Sequence, residues 1–209
     1  MNRTTIFVIV SLFVFASDGL AQNPTRARTD GGREVLLFAD GTWKYADESK
    51  ESAKLIANTK PPSATEVQKT RNGSFGIWFD PRKWKVSNKS SNESVEFEFK
   101  HSSGDGYAMV ISERIAMPLS ALKKVVLDSA VQAAPDAKIL SEEKRIVNGH
   151  ELLCLKIEGS VSQIPFTYYG YYYSGNGGTL QLITFTSQNL FAEYQKDFTD
   201  LLNGLEIYK

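Results

Sequence analysis

Between residues 75 and 207, apolar side chains return at every second position in short runs closed by Gly, Pro, Asn or Asp, and only two stretches follow a helical stripe instead. Period-two alternation is what a pleated strand with one buried face needs, because successive side chains point to opposite sides. Phe75, Ile77 and Phe79 share one face of a strand that Asp80-Pro81 ends, and Trp84-Lys85-Val86 makes a short apolar return. Val95, Phe97 and Phe99 alternate with Glu96, Glu98 and Lys100, the pattern of a strand wet on one side. Gly104-Asp105-Gly106 then turns the chain into a strand over 107–113.

The first helical stripe opens at Pro118, a residue favoured in an initial turn, and runs through Leu119, Leu122, Val126, Ala130 and Ala133 to a stop at Pro135. Strands over 139–147 and 151–158 flank Asn148-Gly149, a strong hairpin signal because both residues tolerate left-handed backbone. A further antiparallel pair, 165–173 and 179–186, flanks the glycine-rich 174–178. The second stripe carries Phe191, Tyr194, Phe198, Leu201 and Leu202, with Gly204 as its stop and Leu205-Glu206-Ile207 as a last strand. The order β-β-β-β-α-β-β-β-β-α with hairpin-length connections predicts an α+β domain over 73–209, a central antiparallel sheet with two main helices packed on it.

The residues before this domain divide into three. Arg3, the apolar run 6–16 and Gly19-Leu20-Ala21 form a secretory signal peptide with cleavage expected after Ala21, and the run is shorter than the roughly 20 residues a spanning helix needs. No integral membrane insertion is expected once 1–21 is removed, so the chain is expected to be exported, periplasmic or secreted. Residues 22–46 hold a β-hairpin, with 35–38 and 42–45 on either side of Asp40-Gly41. A two-residue turn there sets Phe38 opposite Trp43 and Leu36 opposite Tyr45. A lone hairpin is marginal in water, so this face is expected to dock either on the main domain or on a partner, and Phe38, Trp43 and Tyr45 are the candidate partner-binding residues. This stretch resembles a short "VLL..DGTW.Y" element of secreted bacterial proteins. Residues 47–72, polar and interrupted by Pro61-Pro62, read as a linker with at most a turn or two of helix over 52–56.

The opening 75–84 (Phe-Gly-Ile-Trp-Phe-Asp-Pro-Arg-Lys-Trp), the Val147-Asn148-Gly149-His150 turn and the closing 198–207 together resemble the PsbP-like superfamily. That superfamily joins the PsbP subunit of the oxygen-evolving complex, the small Ran-binding Mog protein and bacterial exported proteins. The resemblance spans about two-thirds of the chain and implies a sheet between helical layers, an α/β/α sandwich. It implies no shared catalytic constellation, so no site residue is carried over from it.

Charge and motif content narrow the functional classes. Lys plus Arg equal Asp plus Glu at 24 each, and removal of Arg3 and Asp18 with the leader keeps the balance at zero. A neutral chain lacks the basic footprint that nucleic acid or an anionic bilayer rewards, so no nucleic-acid partner is expected. His101 and His150 have neither a histidine at i+4 spacing nor a cysteine pair nearby and are expected at the surface, with no metal and no cofactor. Cys154, within an apolar strand, is expected to be a structural thiol. Asn72-Gly73-Ser74, Asn88-Lys89-Ser90 and Asn92-Glu93-Ser94 fit the glycosylation acceptor pattern, which matters only in a eukaryotic source.

The chemically unusual segment is 166–173, Phe-Thr-Tyr-Tyr-Gly-Tyr-Tyr-Tyr. An extended strand puts Tyr169, Tyr171 and Tyr173 on one face and Phe166, Tyr168 and Tyr172 on the other, with Gly170 leaving room for close approach. If exposed, Tyr169, Tyr171 and Tyr173 form a ligand-binding platform for sugars or peptide; if a helix covers them they are core. The leading expectation is an exported, non-enzymatic binding or accessory protein whose partner is a protein or cell-envelope component. The alternatives are an envelope carbohydrate hydrolase using Glu96 and Glu98, or a carrier of a small apolar ligand.

Overall fold

The computed structural model describes residues 24–29, 34–38, 43–45, 57–90 and 92–208, and the leader expected over 1–21 lies outside them. The chain divides into two units, Met1–Lys54 and Leu55–Lys209.

In the smaller unit, β1 (Thr25–Arg28), β2 (Glu34–Leu37) and β3 (Trp43–Tyr45) form an antiparallel sheet in that order. The expected hairpin is β2–β3, but its register differs by one residue: Leu37 pairs with Trp43, Val35 with Tyr45, and Leu36 with Lys44. Residues 38–42 all lie between the paired strands, so Asp40-Gly41 sits within a longer connection instead of forming the whole turn. A one-residue slip exchanges the faces of a strand, so the backbone partners of Trp43 and Tyr45 are Leu37 and Val35 in place of Phe38 and Leu36. β1, unanticipated from sequence, is tied to β2 by the exposed Arg26–Glu34 pair at 3.3 Å.

The larger unit begins within the segment read as linker. β4 (Ala57–Asn58) and β5 (Glu66–Lys69) are strands of its sheets, so from residue 57 onward that stretch is part of the folded body. Seven further strands join β4 in an eight-stranded sheet: β7 (Trp84–Ser87), β8 (Phe97–His101), β9 (Tyr107–Glu113), β10 (Lys138–Val147), β11 (His150–Val161), β12 (Ile164–Gly175) and β13 (Gly178–Ser187). Their order is β4-β10-β11-β12-β13-β9-β8-β7, antiparallel except for the short β4–β10 pairing. β14 (Leu205–Ile207), β6 (Phe75–Phe79) and β5 form a second sheet in the order β14-β6-β5.

The two helices cover opposite faces of the large sheet, as the alternation of buried residues requires. α2 (Phe191–Leu202) closes a core of Phe75, Ile77, Trp84, Phe97, Phe99, Tyr171, Leu182 and Phe198. α1 (Leu119–Ala133) closes the other, where Leu122, Val126 and Ala130 meet Leu153, Leu155, Ile157, Tyr172 and Ile183. Cys154 is buried in the α2-side core, and burial pushes its thiol up to about 11, far from the range where a thiolate acts as nucleophile.

Asn148 and Gly149 take φ of 48° and 86°, the two positive angles of the expected tight turn. The Asn148 side chain does more than turn the chain. Its Nδ2 donates to the carbonyls of Asn203 (3.0 Å) and Leu205 (2.7 Å), and its Oδ1 accepts from the backbone N–H of Lys60 at 2.9 Å. One side chain therefore fastens the β10–β11 tip to the end of α2 and to the segment after β4. Asn148→Gly keeps the left-handed backbone but removes all three bonds, and the expected cost is about 2 kcal/mol, the penalty for partly buried groups losing their partners. Urea unfolding measures it; a change below a few tenths would show that water replaces the side chain without loss.

Candidate functional site

The structure buries the tyrosines expected to form an exposed platform. β12 lies in the middle of the sheet, so each of its faces meets a helix layer. Tyr169 is 6 % exposed and meets the Phe191 ring edge-on at 5.7 Å; Tyr171 is wholly buried; Tyr173 is half-buried with its ring edge-on to Phe75 at 5.8 Å. The Tyr171 hydroxyl donates to Asn203 Oδ1 at 2.9 Å and accepts from Arg145 Nη1 at 3.1 Å. The Arg145 guanidinium lies over the Tyr169 and Tyr171 rings at 5.7 and 5.8 Å and pairs with Glu143 at 2.7 Å. Burial raises the pKa of both tyrosine hydroxyls, so they stay neutral hydrogen-bonding groups. This face of β12 is core.

The opposite face divides. α1 covers Tyr172, while Phe166 and Tyr168 pack partly buried against the rim of that core and acquire two neighbours from distant sequence. Pairing sets Lys100 opposite Tyr107, Tyr107 opposite Phe185, and Phe185 opposite Tyr168, one row across β8, β9, β13 and β12. The rings of Tyr107 and Phe185 stack at 5.4 Å with 21° between planes, Phe185 meets Tyr168 edge-on at 5.8 Å, and Tyr168 lies 4.4 Å from Phe166. Lys100 Nζ stands 5.8 Å from the centre of the Tyr107 ring. The same pleat carries the face onward from Phe166 to Ile164, which is 64 % exposed and pairs with Val161 at 44 %. The turn between them holds Ser162 and Gln163 at φ of 50° and 67°.

The orientation of these rings decides what they can touch. A platform for sugars needs a free aromatic face, whereas here Tyr107, Phe185 and Tyr168 turn their faces toward one another or against a neighbouring edge. What remains at the surface is the partly exposed row of these rings, continued by the exposed Ile164 and Val161, and burial raises the pKa of the Tyr168 hydroxyl. Apolar area with a few polar tips suits a protein surface.

The carboxylates expected for a hydrolase are each held by different neighbours. Glu96 accepts from the Ser112 hydroxyl and from the Arg71 N–H at 2.7 Å, and Glu98 accepts from the Ser90 hydroxyl at 2.6 Å. His101 departs from the expected surface position: at 8 % exposure it is wedged edge-on against Trp84 (4.9 Å) and Tyr194 (5.2 Å). Its Nδ1 contacts Ser103 Oγ at 2.7 Å, and its Nε2 lies 3.1 Å from the carboxylate of Asp197, which also pairs with Lys83 at 2.5 Å. The ring joins the end of β8 to α2. His150 is half-buried beside Tyr173. Of the N-terminal candidates, Phe38 is half-buried next to the exposed Leu37, Trp43 and Tyr45 belong to β3, and the side chains of those last two lie outside the described residues.

No protein-family model and no curated protein sequence matches the chain. Among solved structures, cyanobacterial PsbP (CyanoP) from Synechocystis sp. PCC 6803 is similar with a TM-score of 0.55 at 12% identity, over 71% of this chain and 95% of that one. The Ran-binding protein Mog1p of Saccharomyces cerevisiae gives 0.47 at 6% identity, over 68% and 94% of the two chains. LpqN, involved in cell envelope biogenesis of Mycobacterium tuberculosis, gives 0.37 at 10%, over 71% and 87%. The chain has the PsbP-like α+β fold anticipated from its opening motif, its Asn-Gly turn and its closing helix. At these identities the likeness is one of fold, and no residue role passes from it. Among the described residues no helix is long and apolar enough to cross a membrane.

Proposed function

We propose that this chain is an exported, non-enzymatic accessory protein that holds a protein partner against the aromatic ridge of Tyr107, Phe185, Tyr168 and Phe166. The supporting observation is the register that gathers these residues, each partly exposed, into one row on the large sheet beside the exposed Ile164 and Val161. Partly exposed aromatics on a preorganised surface are efficient anchors, because they bury large area on binding while little rotamer freedom remains to be lost. Lys100 and Glu98 beside the row supply the polar rim such a contact uses. Export rests on the leader-like residues 1–21 and places the partner outside the cytoplasmic membrane.

The test compares the parent with Tyr107→Ala/Phe185→Ala in a cross-linked pull-down from the exported fraction, followed by affinity measurement on the recovered partner. Anchor residues are each worth about 2 kcal/mol, so each single change is expected to weaken binding by roughly 30-fold and the double variant by several hundred-fold, while its circular dichroism stays native. An unchanged partner list and affinity would remove the ridge from the function.

A further inference from the structure

We infer that the groove between the outer edges of β5 and β7 receives an extended peptide segment of a partner as an added strand. β5 ends the three-stranded sheet and β7 ends the eight-stranded sheet, and among the described residues neither pairs on its outer side. Between them lies an open groove of about 260 Å³, with Val67 and Glu66 on one wall, Val86 and Lys85 on the other, and Phe79 and Trp84 at its base.

The hydrogen-bond parity of the two ladders shows what each edge offers. In the β5–β6 pair, Thr70 N–H donates to Phe75 C=O, which with the register assigns the backbone groups of Glu66 and Gln68 to β6 and turns those of Val67 away from it. In the β7–β8 pair, Ser102 N–H donates to Lys83 C=O, so Lys85 and Ser87 bond to β8 and Val86 faces outward. β8 follows the complementary pattern, with His101 N–H donating to Gly106 C=O on its β9 side. Both outward-facing valines line the groove. Each presents one free N–H and C=O pair, the recognition element of strand addition.

The charges specify the occupant further. Lys85 and Lys100 stand directly opposite each other across β7–β8, both exposed, and like charges in that position repel. An acidic residue in a strand laid outside β7 flanks Lys85 and relieves that repulsion, while a basic residue of the same segment answers the exposed Glu66 on the facing wall. The remaining edge strand with a long free flank, β10, shows the contrast: it carries Glu142, Glu143, Lys144 and Arg145 in succession, the charged dress of an edge kept from pairing. The occupant is therefore an extended segment with a small apolar residue between an acid and a base.

Proline tests this with little disturbance, because it is tolerated on an edge strand only where the lost N–H points outward, as it does at Val67 and Val86. A randomised heptapeptide display library is panned against the full chain, and enriched peptides are synthesised. They are expected to contain an acidic residue, to bind Val67→Pro and Val86→Pro at least 10-fold more weakly than the parent, and to lose binding to the parent when alternate peptide amides are N-methylated. The N-methylated peptides decide the matter even if a proline variant folds poorly. No enrichment over Val67→Pro/Val86→Pro, equal binding to the variants, or indifference to N-methylation would overturn the inference. So would sedimentation showing a parent dimer that the double variant disperses, since that assigns the two edges to a second copy of this chain.

Discussion

Gly178→Ala is expected to cost roughly 3–5 kcal/mol, from backbone strain of about 1–3 and a clash of similar size, and so to consume much of the 5–15 kcal/mol that holds an ordinary domain together. Gly178 has φ of +108°, a region L-residues rarely enter, and a Cβ added there would lie 1.8 Å from the carbonyl oxygen of Glu113. That oxygen belongs to β9, whose Glu113 pairs with Thr179, so it cannot swing aside without opening the sheet where β13 meets β9. Gly177→Ala is the control. It shares a positive φ of +93°, but its Cβ would meet the Cβ of Ser74 at 2.8 Å, a full ångström farther than the Gly178 clash and relieved by a small shift of the turn at Ser74. Urea midpoints of the two variants should therefore differ by more than the scatter between replicates, with Gly178→Ala the lower. Equal losses would mean that strain alone matters and that the β9–β13 seam yields.

Phe198→Ala should rank next, at about 3–5 kcal/mol, the range for emptying a buried phenylalanine site. Phe198 is fully buried on α2, stacked on Tyr194 at 5.6 Å and on Trp84 at 6.1 Å, with Phe191 at 6.3 Å. These rings come from both α2 and β7, so collapse into the void requires helix and strand to move together. Phe198→Leu, which keeps most of the volume, should lose much less. Calorimetric unfolding of the pair checks this; an alanine variant as stable as the leucine variant would mean that the core closes over the space.

The features that were legible in the sequence are those set by local chemistry. Asn148-Gly149 adopts the two positive φ angles its residue types permit, and the stripe of Phe191, Tyr194, Phe198, Leu201 and Leu202 is the buried face of α2. The separation of Tyr169, Tyr171 and Tyr173 from Phe166, Tyr168 and Tyr172 also follows from the pleat. Three things were not local. β5 reads Glu-Val-Gln-Lys, a strand whose single apolar residue gives no period, and its pairing with β6 depends on residues about ten positions away. The β2–β3 register was drawn toward Asp40-Gly41, although a longer connection permits a different alignment. The ridge is invisible without register, since nothing in the chain sets Tyr107 beside Phe185 or Phe185 beside Tyr168 until the strands pair. A signal did exist: Tyr107 and Phe185 each alternate with buried neighbours, Ala108 and Thr184, and so mark the half-wet side of a strand with an aromatic where a polar residue is usual.

The separation of the two proposed contacts shapes how they can be told apart. The ridge consists of side chains on one face of the large sheet, and the groove of backbone groups at its β7 edge. Alanine substitution at Tyr107 and Phe185 leaves the Val86 amide untouched, and proline at Val86 leaves the ridge in place. Each contact can therefore fail without the other.

One face of the large sheet is sealed by residues more than a hundred positions from the strand they cover. β6, near the start of the larger unit, receives β14 along one side, and Asn148 bonds to the carbonyls of Asn203 and Leu205. Until residues 191–207 are in place, Phe75, Ile77, Trp84 and Phe99 have no roof, because α2 and β14 supply it. Loops this long are slow to close, so that core stays uncovered however early the hairpins zip. Protease digestion before residues 191–207 dock would therefore reach strands that the native fold protects.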